Sequence, residues 1–341
     1  MKISIGMNLQ LGPWGGGNQF GHALTNYLRE KDVSVSFDLK NPKLDLLLLA
    51  DPRKTAKISA YTDREILKYL ALRNWQAVVV HRINECDERK GTQGVNQMLH
   101  KANLCADHTI FVSSWLRDLH LKNGIQSKSY SVLLAGADQG IFNPEGYKVW
   151  NKSEKLKFVT HHWSNAYQKG FDVYTHLDTM LGEPKWKDKI EFTYIGRFPD
   201  SVQWKHTRHI PPQSGLELAQ SIKENHVYLT ASQNEPSGMH HIEGAMCGLP
   251  VLYRKSGGIT EYCRGFGLGF TDLGDFEQKL AQMVETYDTW ADKIRDYPFT
   301  AQRMCQTFYD LAAELIKNRE AYLKKRSRRD YLIRYLKQLW Y

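Results

Sequence analysis

No stretch of this 341-residue chain approaches the ~18 consecutive apolar residues that a membrane-spanning helix requires. The longest candidate, residues 44–50, lies between Lys43 and Asp51 and reads as a buried strand. The opening Met1-Lys2-Ile3-Ser4-Ile5 has neither the charged nor the apolar region of a secretory signal, so a cytoplasmic protein is expected. Cysteine is scarce and odd in number: Cys86, Cys105, Cys247, Cys263 and Cys305, with no C-x-x-C pair. That pattern argues against a disulfide framework or a zinc knuckle and for reduced, mostly buried thiols. Asp-x-Asp clusters, one way of holding a metal against phosphates, are also absent.

Acidic residues are outnumbered, 37 to 46, for a formal charge of +9. That balance suits nucleic acid, an anionic membrane or phosphorylated ligands. Its distribution narrows the choice. Residues 324–341 hold Lys324, Lys325, Arg326, Arg328, Arg329, Arg334 and Lys337 against Asp330 alone, seven cations less one carboxylate, or +6 of the +9. Aromatics are not interleaved with cations on strands, which speaks against RNA.

What is present is an alternation of short apolar runs with amphipathic stretches. Strands are predicted at residues 2–8, 34–37, 45–49, 77–81, 109–113 and 129–134, and helices at 18–31, 63–72 and 114–122. Phe20, Ala23, Leu24, Tyr27 and Leu28, for example, fall on one helical face. The turn cluster Asn143-Pro144-Glu145-Gly146 interrupts the pattern. It then restarts, with strands at 156–161, 190–195, 226–230 and 251–253 and helices at 170–181, 214–223 and 238–247. From Leu273 onward the chain reads as helix. Such strands, buried on both faces, predict two doubly wound α/β domains with parallel sheets, facing each other across a cleft. Expected boundaries are 1–146, 147–310, and basic amphipathic helices over 311–341.

One segment carries most of the chemistry: residues 232–252, from Ser232 through Glu235-Pro236-Ser237-Gly238-Met239-His240 and Glu243 to Leu252. It follows a strand and opens a helix whose first N–H groups favour a phosphate. Helical side chains lean toward the N-terminus. Glu235 and Glu243 can therefore reach one ligand across the helix start, or stand as a solvated pair at an ordinary turn. Other segments read as open between structural and binding roles. They are the glycine loop around Gly15, Gly16 and Gly17, His81 at a strand's carboxyl end, Lys169-Gly170, and Ser256-Gly257-Gly258. In the tail, Tyr331, Leu332, Tyr335, Leu336 and Leu339 recur at helical spacing, suiting either a membrane surface or packing on the first domain.

Residues 232–252 resemble the E-x(7)-E motif of the retaining GT-B glycosyltransferases of family 4, and the match extends into the flanks Asn-Glu-Pro-Ser-Gly-Met and Glu-Gly-Ala-Met-Cys-Gly-Leu-Pro-Val. The resemblance implies a GT-B fold closed by a C-terminal helix crossing back. It implies that Glu235 contacts the transferred sugar and Glu243 the nucleotide ribose, with Ser237, Gly238, Met239 and His240 beside the donor. Gly15–Gly17 would lie under the diphosphate, and His81 near the reacting sugar as a second catalytic residue. Val132-Leu-Leu-Ala-Gly-Ala-Asp138, followed by Phe142-Asn-Pro144, resembles the family's hinge, with Asp138 structural and Ala135 in place of an asparagine. The diphosphate-binding lysine matches Lys169. The arginine before it is replaced by His162, Trp163 or Ser164, and Arg197 is the expected substitute.

The implied activity moves a sugar from a UDP- or GDP-linked donor to a hydroxyl of a glycan or lipid-linked acceptor, without metal or other cofactor. Expected partners are that donor, that acceptor and an anionic membrane surface through the C-terminal helix, with no nucleic acid. A nucleotide-sugar epimerase on the same fold is the alternative, and a basic protein binding nucleic acid or membrane a further one.

Overall fold

The computed structural model describes residues 1–10, 12 and 15–337. Pro13 and Trp14 of the glycine loop and Leu339 of the tail lie outside the described residues. The chain divides into two compact units. One comprises Met1–Asp87, Thr92–Leu134 and Gln302–Tyr341, and the other Glu88–Gly91 and Ala135–Ala301. The expected boundary at 146/147 falls inside the second unit, and residues 302–310 belong with the first.

In the first unit the strands are β1 (Lys2–Ile5), β2 (Ser34–Ser36), β3 (Leu46–Leu49), β4 (Val78–Ile83), β5 (His108–Phe111) and β6 (Tyr130–Val132). All pairings are parallel, in the order β2-β1-β3-β4-β5-β6. Helices α1 (Gly16–Glu30), α2 (Asp63–Leu72), α3 (Val95–Asn103) and α4 (Ser114–Lys122) connect them. Local chemistry sets the helix ends: Thr62 and Glu65 form a capping box at the start of α2, and the Ser113 hydroxyl accepts from Leu116 N–H at α4. The expected strand 2–8 stops at Ile5. Beyond it Met7 makes an isolated antiparallel bridge to Ser59, and Asn8 N–H donates to the Ile58 carbonyl.

The second unit repeats the plan. Its strands are β7 (Leu156–His162), β8 (Ile190–Gly196), β9 (Arg208–Ile210), β10 (Val227–Thr230), β11 (Val251–Arg254) and β12 (Gly267–Phe270). They run parallel in the order β12-β11-β10-β7-β8-β9. Its helices are α5 (Phe171–Met180), α6 (Gly215–Lys223), α7 (Met239–Met246), α8 (Ile259–Cys263), α9 (Leu273–Glu285) and α10 (Tyr287–Lys293). An aromatic core of Phe158, Phe171, Tyr174, Phe192, Phe270 and Phe276 fills the space against the sheet. At its edge Gly136 meets the backbone of Thr300 so closely that a Cβ would lie 2.1 Å from the carbonyl oxygen. Ala137 and Thr300 form a parallel bridge there. Asp138 serves the turn beside it, its carboxylate accepting from Gly140 N–H at 2.9 Å, in line with a structural role.

The chain then returns to the first unit as α11 (Ala301–Lys317), α12 (Arg319–Leu323) and α13 (Arg328–Lys337). Tyr331 is buried in the first unit's core with Leu67, Leu70, Val79 and Cys105, and Tyr335 packs against that core. Leu332, Ile333 and Leu336 point to solvent. The apolar stripe expected along one face is thus split between core and surface. Among the described residues no helix is long and apolar enough to cross a membrane.

Candidate functional site

Residues 231–238 connect the carboxyl end of β10 to α7, the edge at which parallel sheets bind ligands. The turn needs two unusual backbone conformations. Asn234 has φ 50° and Gly238 φ 76°, the left-handed region that asparagine tolerates and glycine enters freely. At Gly238 a Cβ would also lie 2.9 Å from both Glu235 Cγ and His241 Cε1. Ser256-Gly257-Gly258 clamps the same turn. Asn234 N–H donates to Ser256 Oγ at 2.9 Å, and Gly258 N–H donates to the Glu235 carbonyl at 2.8 Å. A Cβ on Gly257 would sit 2.3 Å from that carbonyl oxygen. This loop therefore fixes the position of Glu235.

The Glu235 residue is only 4% exposed. Lys169 Nζ donates to its Oε2, and Arg89 Nε lies 3.1 Å from its Oε1. Burial alone would push the carboxyl up. Arg89 and then Lys169 overcome it and hold the group at about 2. The lysine is placed by the following glycine: Gly170 has φ 106°, and a Cβ there would lie 2.5 Å from Ala231 Cβ. Only glycine lets the Lys169 turn close on the end of β10. Around these charges lies a cavity of about 250 Å³, lined also by Lys90, Ser164, Gln168 and Gln233.

Arg89 is a charged side chain at this cavity that the sequence did not single out. It comes from Glu88–Gly91, a four-residue excursion that belongs to the second unit although the chain around it belongs to the first. The available signal was its place in a polar Arg89-Lys90-Gly91 loop shortly after the carboxyl end of β4. Arg197, the expected substitute for the missing arginine, is instead exposed, with its guanidinium 4.3 Å above the Trp163 ring. Of the three residues at the family's arginine position, Ser164 lines the cavity, Trp163 is 43% exposed, and His162 is buried.

Behind Glu235 sits a buried group of four histidines. His161 Nε2 lies 2.7 Å from Glu243 Oε2, and its Nδ1 lies 3.0 Å from the Tyr228 hydroxyl. Glu243, only 3% exposed, is thereby held by an imidazole. The His162 and His240 rings pack 4.6 Å apart. His162 Nε2 lies 2.9 Å from the Tyr174 hydroxyl. The His240 ring, expected beside the donor, is engaged within the fold: its Nε2 lies 2.7 Å from Thr230 Oγ1. His241 is fully buried, and neither ring nitrogen has a hydrogen-bond partner. Burial holds His162 and His240 well below the usual imidazole range and His241 at about 3. Among the described residues no group of three or more His, Cys, Asp and Glu could hold a metal ion.

The remaining sequence candidates lie in the first unit. Gly15 caps α1, and Gly16 and Gly17 are its first two residues. A Cβ at Gly15 would meet nothing within 4 Å among the described residues. His81 is wholly buried in the middle of β4 rather than open at its end. Its Nδ1 lies 2.9 Å from Asn103 Oδ1, which also accepts from Thr109 Oγ1. The imidazole therefore donates from Nδ1, leaving Nε2 buried and unpartnered. Burial lowers the ring to about 4.

No family model matches the chain, and no curated protein does. Solved structures do match over nearly its full length. Sucrose-phosphate synthase from Thermosynechococcus elongatus shares 12% identity with a TM-score of 0.65, covering 93% of this chain and 99% of that one. Anabaena HepE in complex with UDP shares 14% identity with a TM-score of 0.66, covering 92% and 100%. A glycosyltransferase from Rickettsia africae shares 13% identity with a TM-score of 0.62, covering 93% and 98%. The fold is GT-B.

Proposed function

We propose that the protein is a retaining glycosyltransferase that takes a sugar from a nucleoside-diphosphate donor. The observation that carries the reading is the Glu235 carboxylate held between Arg89 and Lys169, in a cavity where α7 begins. Two cations and the first N–H groups of a helix match a diphosphate. A buried carboxylate beside them matches sugar hydroxyls. HepE is described in complexes with UDP and with UDP-glucose, and starch synthase IV of Arabidopsis with ADP and acarbose. UDP is therefore the first donor nucleotide to try, with GDP the alternative.

In the reaction the bond from the anomeric carbon to the diphosphate oxygen breaks. A bond to the acceptor oxygen forms on the same face, and the acceptor proton leaves with the diphosphate. Negative charge grows on the leaving oxygens, so Arg89, Lys169 and the N–H groups near Gly238 and Met239 stabilise the transition state without a metal. Glu235 orients the transferred sugar, and Glu243, held by His161, is assigned to the ribose. Ser237 is assigned to the donor from the sequence resemblance. The acceptor is a glycan or lipid-linked hydroxyl, reached by an enzyme seated peripherally on a membrane.

Calorimetric titration of the full chain with UDP, GDP and ADP tests the reading. Binding of one nucleotide, weakened in Glu243→Ala, followed by acceptor-dependent release of that nucleotide from its sugar conjugate, is the expected result. Binding of none overturns it, and isomerisation of the donor without an acceptor identifies an epimerase.

A further inference from the structure

In the first unit a second cavity, of about 540 Å³, opens between α2, α3 and α13, a size typical of ligand pockets of ~300–1,000 Å³. Leu67, Met98, Ala102 and Leu104 form its apolar floor. Its rim carries Arg64, Lys101, Arg334 and Lys337, and one carboxylate, Asp63. Four cations against one anion leave the rim positive above an apolar base.

The cavity wall made by α13 is firmly seated. Arg326, just ahead of that helix, is fully buried against Asp107, with Nε 2.9 Å from Oδ1, and donates to the carbonyls of Trp75 and Ala77 at 2.6 and 2.7 Å. The Tyr331 hydroxyl donates to the Cys105 carbonyl, and Arg334 Nη1 to that of Leu104. The same helix exposes Leu332, Ile333 and Leu336 to solvent by 38–44%. Exposed aliphatic side chains interleaved with cations suit the headgroup layer of an anionic bilayer.

We propose that this cavity binds one anionic membrane phospholipid, with an acyl chain on the apolar floor and the phosphate on the cationic rim. The apolar lining of Leu67, Met98, Ala102 and Leu104 favours an acyl chain over a free sugar phosphate. The exposed leucines and Ile333 favour a lipid still in its leaflet over a free fatty acid, because they too need an apolar partner. The proposal is independent of sugar transfer, since none of these residues belongs to the Glu235 cavity.

Two measurements test it on the full chain: flotation with phosphatidylglycerol-containing or pure phosphatidylcholine vesicles, and native mass spectrometry with phosphatidylglycerol. The parent is expected to float only with the anionic vesicles and to carry one lipid per chain. Met98→Trp fills the cavity from a half-buried position and should lose the lipid adduct. The pair Lys101→Glu and Lys337→Glu should weaken flotation by about tenfold or more. The pair Leu332→Ser and Leu336→Ser should lose flotation yet keep the adduct. Leu104→Trp replaces Met98→Trp if the latter melts early by circular dichroism. An adduct that survives a folded cavity-filling variant, or vesicle binding with no one-to-one adduct, overturns the proposal. UDP binding, read separately by calorimetry, reports on sugar transfer alone.

Discussion

Arg89 and Glu235 form an ion pair, Nε to Oε1 at 3.1 Å, across a gap of many residues in the sequence. Against burial, the charge of Arg89 lowers the Glu235 carboxyl, together with the charge and hydrogen bond of Lys169. One residue thereby both neutralises the buried carboxylate and adds positive charge to the cavity where the donor diphosphate is assigned.

Arg89→Ala should weaken UDP binding by roughly ten- to a hundredfold, the loss expected when a charged hydrogen-bond donor is removed. Arg197→Ala, stacked on Trp163, should leave it unchanged. Arg89→Ala should also raise the Glu235 carboxyl, moving the acidic limb of the transfer-rate profile to higher pH. Titration calorimetry and initial rates check both. Equal effects from the two variants would sink the assignment of Arg89.

The two glutamates should separate by kinetics. Glu235→Gln removes a negative charge beside the diphosphate and frees Lys169 and Arg89, so UDP should bind as well or better while transfer falls by about a hundredfold. Glu243→Ala breaks the contact to His161 and should chiefly weaken nucleotide binding. A Glu235→Gln enzyme with parental turnover contradicts this division.

Most of the fold was legible because short apolar runs and period-3.6 patterns report burial directly: α2 and α4 span the expected residues 63–72 and 114–122. The misses have physical causes. β9 and β12 lie at sheet edges, and their sequences, Arg-His-Ile and Gly-Leu-Gly-Phe, carry little strand signal. In the site, Glu235, Lys169 and the glycines at 170, 238 and 257 show locally, because each shapes or occupies one turn. Arg89 does not, since its partner is distant in sequence. Nor does the burial of His81 and His240, which depends on side chains from other elements.

Stability should fall with acid beginning near pH 6.5. His81 and His241 titrate at about 4 and about 3 in the folded chain, against about 6.5 when unfolded. Below that value the unfolded state binds more protons, so stability is intact above it and is lost as pH falls toward the folded values. Each such histidine contributes a slope of up to about 1.4 kcal/mol per pH unit. His241→Phe, at a ring with no hydrogen bonds to lose, should flatten the slope by about one proton's worth. Urea midpoints at several pH values between neutrality and 5 check this; an unchanged slope refutes the buried, neutral His241.

The buried pair Asp107–Arg326 should tolerate little. Asp107→Ala or Arg326→Met leaves a fully buried charge short of its partner and should cost about 3–5 kcal/mol. Replacing both with apolar residues should recover much of that loss. Removing residues 324–341 leaves Asp107 with Lys128, 3.4 Å away, as its nearest cation, so the truncation should unfold the first unit at lower denaturant. Chemical denaturation of single and double variants checks the prediction. Additive effects would show that the two side chains do not act as a pair.

Asp107 is synthesised well before Arg326. At about 5–20 residues per second the intervening segment takes ten seconds or more to make. During that time the first sheet holds a carboxylate without its guanidinium partner, while most of the second unit is being made. The first unit is therefore completed only after every residue of the second has been made. A nonsense codon between those of Ala301 and Arg326 would accordingly leave every residue of the second unit in place and damage the half of the protein that was begun first.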